Sequence, residues 1–205
     1  QPETIKEEDF YSGNEAVIRT GDCVGCGQCE ELCRFEAIKK EVDKNGKTVF
    51  TVDPAACEGC GVCAHFCPEQ AIDFPSRLCG KWMMSDTRFG TLVHARLGAA
   101  AENSGKLVSM VRKQAKDTAK EQSRKIIITD GPPGIGCPVI ASLSGASLVL
   151  IVTEPTVSGK HDMERVLKLT RHFKIPTAVC VNKWDINPET TQSIEACATN
   201  ANARV

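Results

Sequence analysis

Two cysteine runs of one spacing constrain this chain more than any other feature. The first is Cys23-x-x-Cys26-x-x-Cys29-x-x-x-Cys33; the second is Cys57-x-x-Cys60-x-x-Cys63-x-x-x-Cys67, followed at once by Pro68. Together they take eight of the twelve cysteines. Three thiolates spaced by two residues can wrap three corners of a cuboidal iron–sulfur cluster from one tight loop. A fourth, carried onto the following helix, points toward the other cluster. The spacing therefore predicts two [4Fe–4S] centres, one on Cys23, Cys26, Cys29 and Cys67 and the other on Cys57, Cys60, Cys63 and Cys33. Structural zinc uses separated CxxC pairs or a mixture of Cys and His, and needs neither the third cysteine nor the fourth. A disulfide framework belongs to an oxidising compartment, and no apolar signal segment is seen at the start. A reduced, cytoplasmic protein is the expectation.

The rest of the composition excludes more than it proposes. A formal net charge of −1, with both signs mixed, makes no electrostatic case for nucleic acid or an anionic membrane. Aromatic content of 5% argues against base-stacking platforms. No stretch approaches the roughly 20 apolar residues of a membrane span.

Residues 1–15 are polar and acidic, with Tyr11-Ser-Gly-Asn suggesting a turn, and read as a connector. Residues 16–74 form an internal duplication: a short apolar lead, a cysteine run, then an Ala-Ile pair, Ala37-Ile38 in one half and Ala71-Ile72 in the other. Between the halves, residues 38–52 predict a hairpin turning at Asp43-Lys-Asn-Gly46, since Asn-Gly suits the positive φ of a tight turn. So small a module has little apolar core, and two clusters would cross-link it.

Past Phe74 the cysteines thin out. Leu107, Val108, Val111, Ala115 and Ala119 recur at helical spacing and predict a helix over 105–123. Apolar runs at 125–129, 147–152 and 176–181 read as parallel strands buried on both faces. Met163, Val166, Leu167, Thr170 and Phe173 mark a helix between the last two, with Ser158 as its N-cap. Strand, helix, strand in that order implies a right-handed βαβ unit. Of the cysteines outside the runs, Cys180 reads as a small core residue and Cys137 as the start of a helix. His65 lies in a slot of the second run that does not ligate, and reads as a surface residue.

The string Ile126-Ile-Ile-Thr-Asp130-Gly-Pro-Pro133-Gly134-Ile-Gly136 ends a strand on an aspartate before a glycine-rich turn. Its residues alone leave two readings: a carboxylate at the ligand-binding edge of a sheet, or a turn that Asp130 merely caps. Thr153-Glu-Pro-Thr-Val-Ser-Gly-Lys-His-Asp162 and Val181-Asn182-Lys183-Trp-Asp185 follow. In order and spacing these strings resemble the MinD/ParA superfamily of P-loop ATPases, which includes the nitrogenase iron protein. The branch resembled carries an inserted pair of [4Fe–4S] ferredoxin motifs and is often labelled cobyrinic acid a,c-diamide synthase-like. The resemblance covers about residues 5–190 and extends to Gly90-x-Leu-Val-His94-Ala-Arg96.

The resemblance implies an α/β chain: a partial, parallel-sheet, MinD-like nucleotide-binding domain over 75–205 and a small α+β bacterial-type ferredoxin insert over 16–74. It implies that Asp130 serves a catalytic Mg²⁺, that Pro133-Gly134 responds to the γ-phosphate, and that Asn182, Lys183 and Asp185 contact the nucleotide. ATP is preferred, with GTP left open by the Asn-Lys-x-Asp string. The intact protein would be a homodimer that meets a redox partner protein.

A P-loop needs Gly-x-x-x-x-Gly-Lys-[Ser/Thr]. At Gly105-Lys106 the first glycine is replaced by Ala100 and the hydroxyl residue by Leu107; at Gly159-Lys160 those positions are Glu154 and His161. The expectation is a fragment of a larger ATPase that does not hydrolyse ATP alone and whose 75–205 half has an open strand edge. Two functions compete: electron transfer through two clusters under nucleotide control, or an ATP-dependent iron–sulfur carrier or assembly scaffold. A ferredoxin-like binding module is a third.

Overall fold

The computed structural model describes residues 2–98, 101 and 105–205. Contacts divide the chain into two mixed α/β units, Gln1–Glu102 and Asn103–Val205. The first contains β1 (Glu3–Asn14), β2 (Val17–Ile18), α1 (Gln28–Leu32), β3 (Ile38–Val42), β4 (Thr48–Val52), α2 (Val62–His65), β5 (Ile72–Asp73), β6 (Ser76–Thr87) and β7 (Gly90–Leu97). The second contains α3 (Gly105–Glu121), α4 (Cys137–Leu143), β8 (Val149–Thr153), α5 (Val157–His172), β9 (Thr177–Val181) and α6 (Pro188–Asn200).

The expected hairpin is present as β3 and β4, and its turn is held by one side chain. The Asp43 carboxylate accepts from the N–H groups of Asn45 (2.8 Å) and Lys47 (2.9 Å), and Gly46 takes the positive φ of 80°. Local self-bonding of this kind is why Asp opens turns so readily.

Residues 1–15 are not a connector. β1 pairs antiparallel with β6, which pairs antiparallel with β7. Most of β1 is exposed, so its place comes from backbone pairing and polar contacts across the sheet. Lys81 reaches Glu7 (2.5 Å), and Lys6 lies 4.9 Å from the Trp82 ring centre. At Tyr11-Ser-Gly-Asn the register shifts within the strand, with Gly13 at φ 70°: an irregularity where a turn was expected. The same pairing places residues 76–97 with the first unit, not with the second half. The drop in cysteine content after Phe74 marks a change of chemistry, whereas strand pairing joins residues far apart in sequence.

The duplication recurs in the backbone at an offset of 34 residues. Gly25 and Gly59 both have positive φ (74° and 64°), as do Gly27 and Gly61 (81° and 76°) and Glu36 and Gln70 (53° and 49°). The Arg19 N–H donates to the Ala71 carbonyl and the Asp53 N–H to the Ala37 carbonyl. Each half therefore closes on the other: Ile18 pairs with Ile72, and Val52 with Ile38. Buried Cys23, Ile38 and Phe50 form the core between them, and Ile18, Cys29, Cys33, Val52 and Cys63 pack against it.

In the second unit, β8 and β9 are parallel, with Val149 opposite Thr177 and Thr153 opposite Val181. The sheet has one covered face. Ile151 and Val179 join Met163 and Leu167 of α5 and Ile194 and Ala198 of α6 in one core. On the other side Leu150 and Val152 are 60% and 62% exposed, and Cys180 is exposed rather than a core residue. Both helices pack on the same face, so the expected two-sided burial is not met. The helix cap differs as well: Thr156, not Ser158, accepts from the Gly159 N–H at 2.9 Å. The helix expected over 105–123 is present as α3. Residues 125–129 pair with no strand among the described residues, and Ile126 and Ile128 are 79% and 91% exposed. A β-strand needs a hydrogen-bonding neighbour, and its own sequence cannot supply one.

Candidate metal centre

The glycines of each cysteine run shape the loop that presents its thiols. Gly25 and Gly27 turn the chain left-handed, and a Cβ on Gly25 would lie 2.6 Å from the Thr48 carbonyl oxygen. Gly27 then caps α1, and its counterpart Gly61 caps α2. In both runs the third cysteine sits in the first turn of the short helix and the fourth just beyond its end.

The loop opens on a small, partly open cavity. Cys23, Cys26, Cys29 and Cys67 all line it, among Ile18, Phe50 and Ile72. These four are the set expected for the first centre, and Cys67 comes from the other half of the duplication. Cys23 is buried, Cys29 and Cys67 are half-buried and Cys26 is exposed. The Ala71 N–H donates to the Cys67 sulfur at 3.3 Å.

The cysteines of the second expected set are also near neighbours. Burial pushes the Cys29 thiol up to about 11, with Cys23 and Cys26 adding to the rise and the Glu30 N–H opposing it. Burial also raises Cys63, and its contributing thiol neighbours are Cys57, Cys60 and Cys33. The Ala64 N–H opposes that rise, and Ala64 is the counterpart of Glu30. A thiol that keeps its proton must lose it to bind metal, so loading these sites releases protons.

This donor set fits an iron–sulfur cluster. It offers sulfur ligands from a loop and a facing segment, with an apolar lining and backbone N–H groups directed at sulfur. Among the described residues, no three His, Cys, Asp or Glu side chains converge on a point that one metal ion could hold. A cluster does not need that convergence, because each thiolate binds its own iron.

Two arginines escaped the sequence reading. Arg77 donates to the carbonyls of Cys57 (3.2 Å) and Pro54 (3.0 Å), tying β6 to the second cysteine loop. Arg19 donates to Asp22 (2.7 Å), to Asp73 and to the Gln70 carbonyl, beside the first loop. Neither belongs to a motif. Only the folded chain brings Arg77 to the cysteines and Arg19 to Asp73 and Gln70. His65 is exposed at the surface against Phe66, as expected.

The residues expected to contact a nucleotide are only partly brought together. Asn182 follows β9 directly with its N–H on the Thr153 carbonyl (2.8 Å), and Lys183 pairs with Glu154 (2.6 Å). Both lie at the carboxyl ends of the parallel strands. Asp185 is exposed beyond them. Asp130, Pro133 and Gly134 follow the unpaired stretch at 125–129, so Asp130 does not end a sheet strand as its sequence suggested.

Residues 16–74 match the family model described as a 4Fe-4S dicluster domain. The chain carries a 4Fe-4S dicluster domain. Over 166 residues it is 32% identical to the uncharacterized protein MJ0578 of Methanocaldococcus jannaschii, covering 81% of this chain and 55% of that protein. Over 116 residues it is 28% identical to the uncharacterized protein MJ0579 of the same organism, covering 57% of this chain and 42% of that protein. The chain thus spans about half the length of the curated relatives it matches. Among the described residues no helix is long and apolar enough to cross a membrane.

Proposed function

We propose that this chain is the electron-transfer part of a nucleotide-dependent, MinD-like ATPase. Cys23, Cys26, Cys29 and Cys67 hold one [4Fe–4S] cluster, and Cys57, Cys60, Cys63 and Cys33 hold the second. The observation that carries this reading is the cavity where Cys67 joins the three thiols of the other run. Held at these two ligand sets, the clusters would supply one-electron carriers.

The chain's own residues account for the rest. Cys23 belongs to the core of Ile38 and Phe50, and Cys29, Cys33 and Cys63 pack against it, so members of both proposed ligand sets share one apolar surrounding. Exposed Cys26 and Cys60 present an edge of each site to an approaching redox protein. Full sulfur ligation favours a permanent redox centre over a carrier, which benefits from open coordination.

The nucleotide part of the proposal rests on the parallel βα unit, with Asn182 and Lys183 at its carboxyl edge. Such edges bind ligands in open α/β sheets. ATP and Mg²⁺ would bind to the longer protein, as a homodimer, with Asp130, Pro133, Gly134 and Asp185 contributing.

The test is reduction of the anaerobic protein, then reoxidation by a one-electron acceptor such as cytochrome c. Stoichiometric reoxidation with iron retained supports electron transfer. Loss of iron and sulfide to an apo-ferredoxin, without a chelator, would instead establish the carrier function.

A further inference from the structure

The two cysteine loops are copies in spacing but not in charge. Around the first ligand set, residues 19–31 and 67–73 carry Asp22, Glu30, Glu31, Glu69 and Asp73 against a single cation, Arg19. Glu69 lines the cavity itself. Around the second set, residues 53–65 and 33–39 carry Asp53, Glu58 and Glu36 against Arg34 and Lys39. Arg77 adds a third cation there through its bond to the Cys57 carbonyl, with Glu15 at 4.0 Å as its partner. In these segments five carboxylates accompany one cation around the first set; with Arg77 and Glu15, four accompany three around the second.

Two of those cations adjoin ligand residues, exposed Arg34 along the chain and Arg77 through its bond to the Cys57 carbonyl. Arg34 follows Cys33 directly, in the position that Pro68 takes after Cys67. The Arg77 side chain is only 19% exposed, so solvent screens it less than a surface charge. One-electron reduction adds a negative charge to a cluster, and nearby cations stabilise that state and raise the potential. The Ala71 N–H on Cys67 raises the potential of the first site in the same sense, but as one neutral dipole against a difference of whole charges.

We propose that the two sites differ in potential, with the centre on Cys57, Cys60, Cys63 and Cys33 the higher of the two because Arg34 and Arg77 flank its ligands. This rests on the two-cluster reading above. Electrons entering the chain come to rest at the second site, and the acidic first site is the stronger reductant.

The test is an EPR-monitored titration of the full chain with dithionite and redox mediators. Two resolved one-electron waves are expected. Arg34→Gln lowers only the higher wave, Arg34→Lys restores it, and added salt narrows the gap. Arg77→Gln lowers the same wave; should it fail to load the second cluster, the Arg34 pair decides alone. Coincident waves, an unmoved higher wave, or a shift of the lower wave in Arg34→Gln would overturn the assignment. Iron well below about eight per chain would instead sink the two-cluster reading before any titration.

Discussion

Gly59 packs so closely against the carbonyl of Asn14 that a Cβ would overlap it. The end of β1 therefore fixes the loop that carries Cys57 and Cys60. Residues outside the duplication shape one of its two metal loops.

Gly59→Ala should lose on two counts: a φ of 64° and the collision with Asn14. The strained backbone alone costs about 1–3 kcal/mol. The second cluster should load poorly while the first is retained, which iron analysis would report as about half the wild-type content. Gly13→Ala carries the same backbone strain at φ 70°, but its Cβ meets nothing, so it should lose stability while keeping its iron.

Crossed ligation predicts which variants behave alike. Cys67→Ser should alter the same EPR signal as Cys26→Ser, although Cys67 belongs to the other run. Cys33→Ser should pair with Cys60→Ser. Cys67→Ser behaving like Cys60→Ser would contradict the assignment.

The raised Cys29 thiol ties stability of the cluster-free protein to pH. Its folded pKa of about 11 lies above the ordinary value of 9.0, mainly through burial. The folded state thus holds a proton that the unfolded state releases first. That contribution is fully present below pH 9 and is lost as pH rises toward 11. Anaerobic thermal unfolding of the apo protein should show a falling midpoint across this window, and Cys29→Ala should flatten the fall.

One-sided burial of β8 makes adjacent residues unequal. Ile151→Ala empties the core beside Met163 and Ile194 and should cost about 2–5 kcal/mol. Leu150→Ala, at 60% exposed, should stay within about 0.5 kcal/mol. Urea unfolding of the full chain would separate them.

How far the sequence could be read followed the range of the interactions. The cysteine spacing, the Asp43 turn and the α3 and α5 stripes are local, and each was legible. The β1–β6 pairing joins Glu3 to Asp86, and no pattern in residues 1–15 announces it. For the same reason Arg77, 20 residues beyond Cys57, was invisible as a site residue. The apolar run at 125–129 looked like a strand because composition reports what could be buried, not which partner is there to bury it. Cys180 failed likewise: its strand formed, but its face of the sheet is uncovered.

The most direct test of the central claim is iron and acid-labile sulfide per chain on anaerobically purified protein, with an EPR spectrum after reduction. The account predicts about eight of each, with two interacting S = 1/2 centres. Zinc without sulfide, or about four irons, would contradict it.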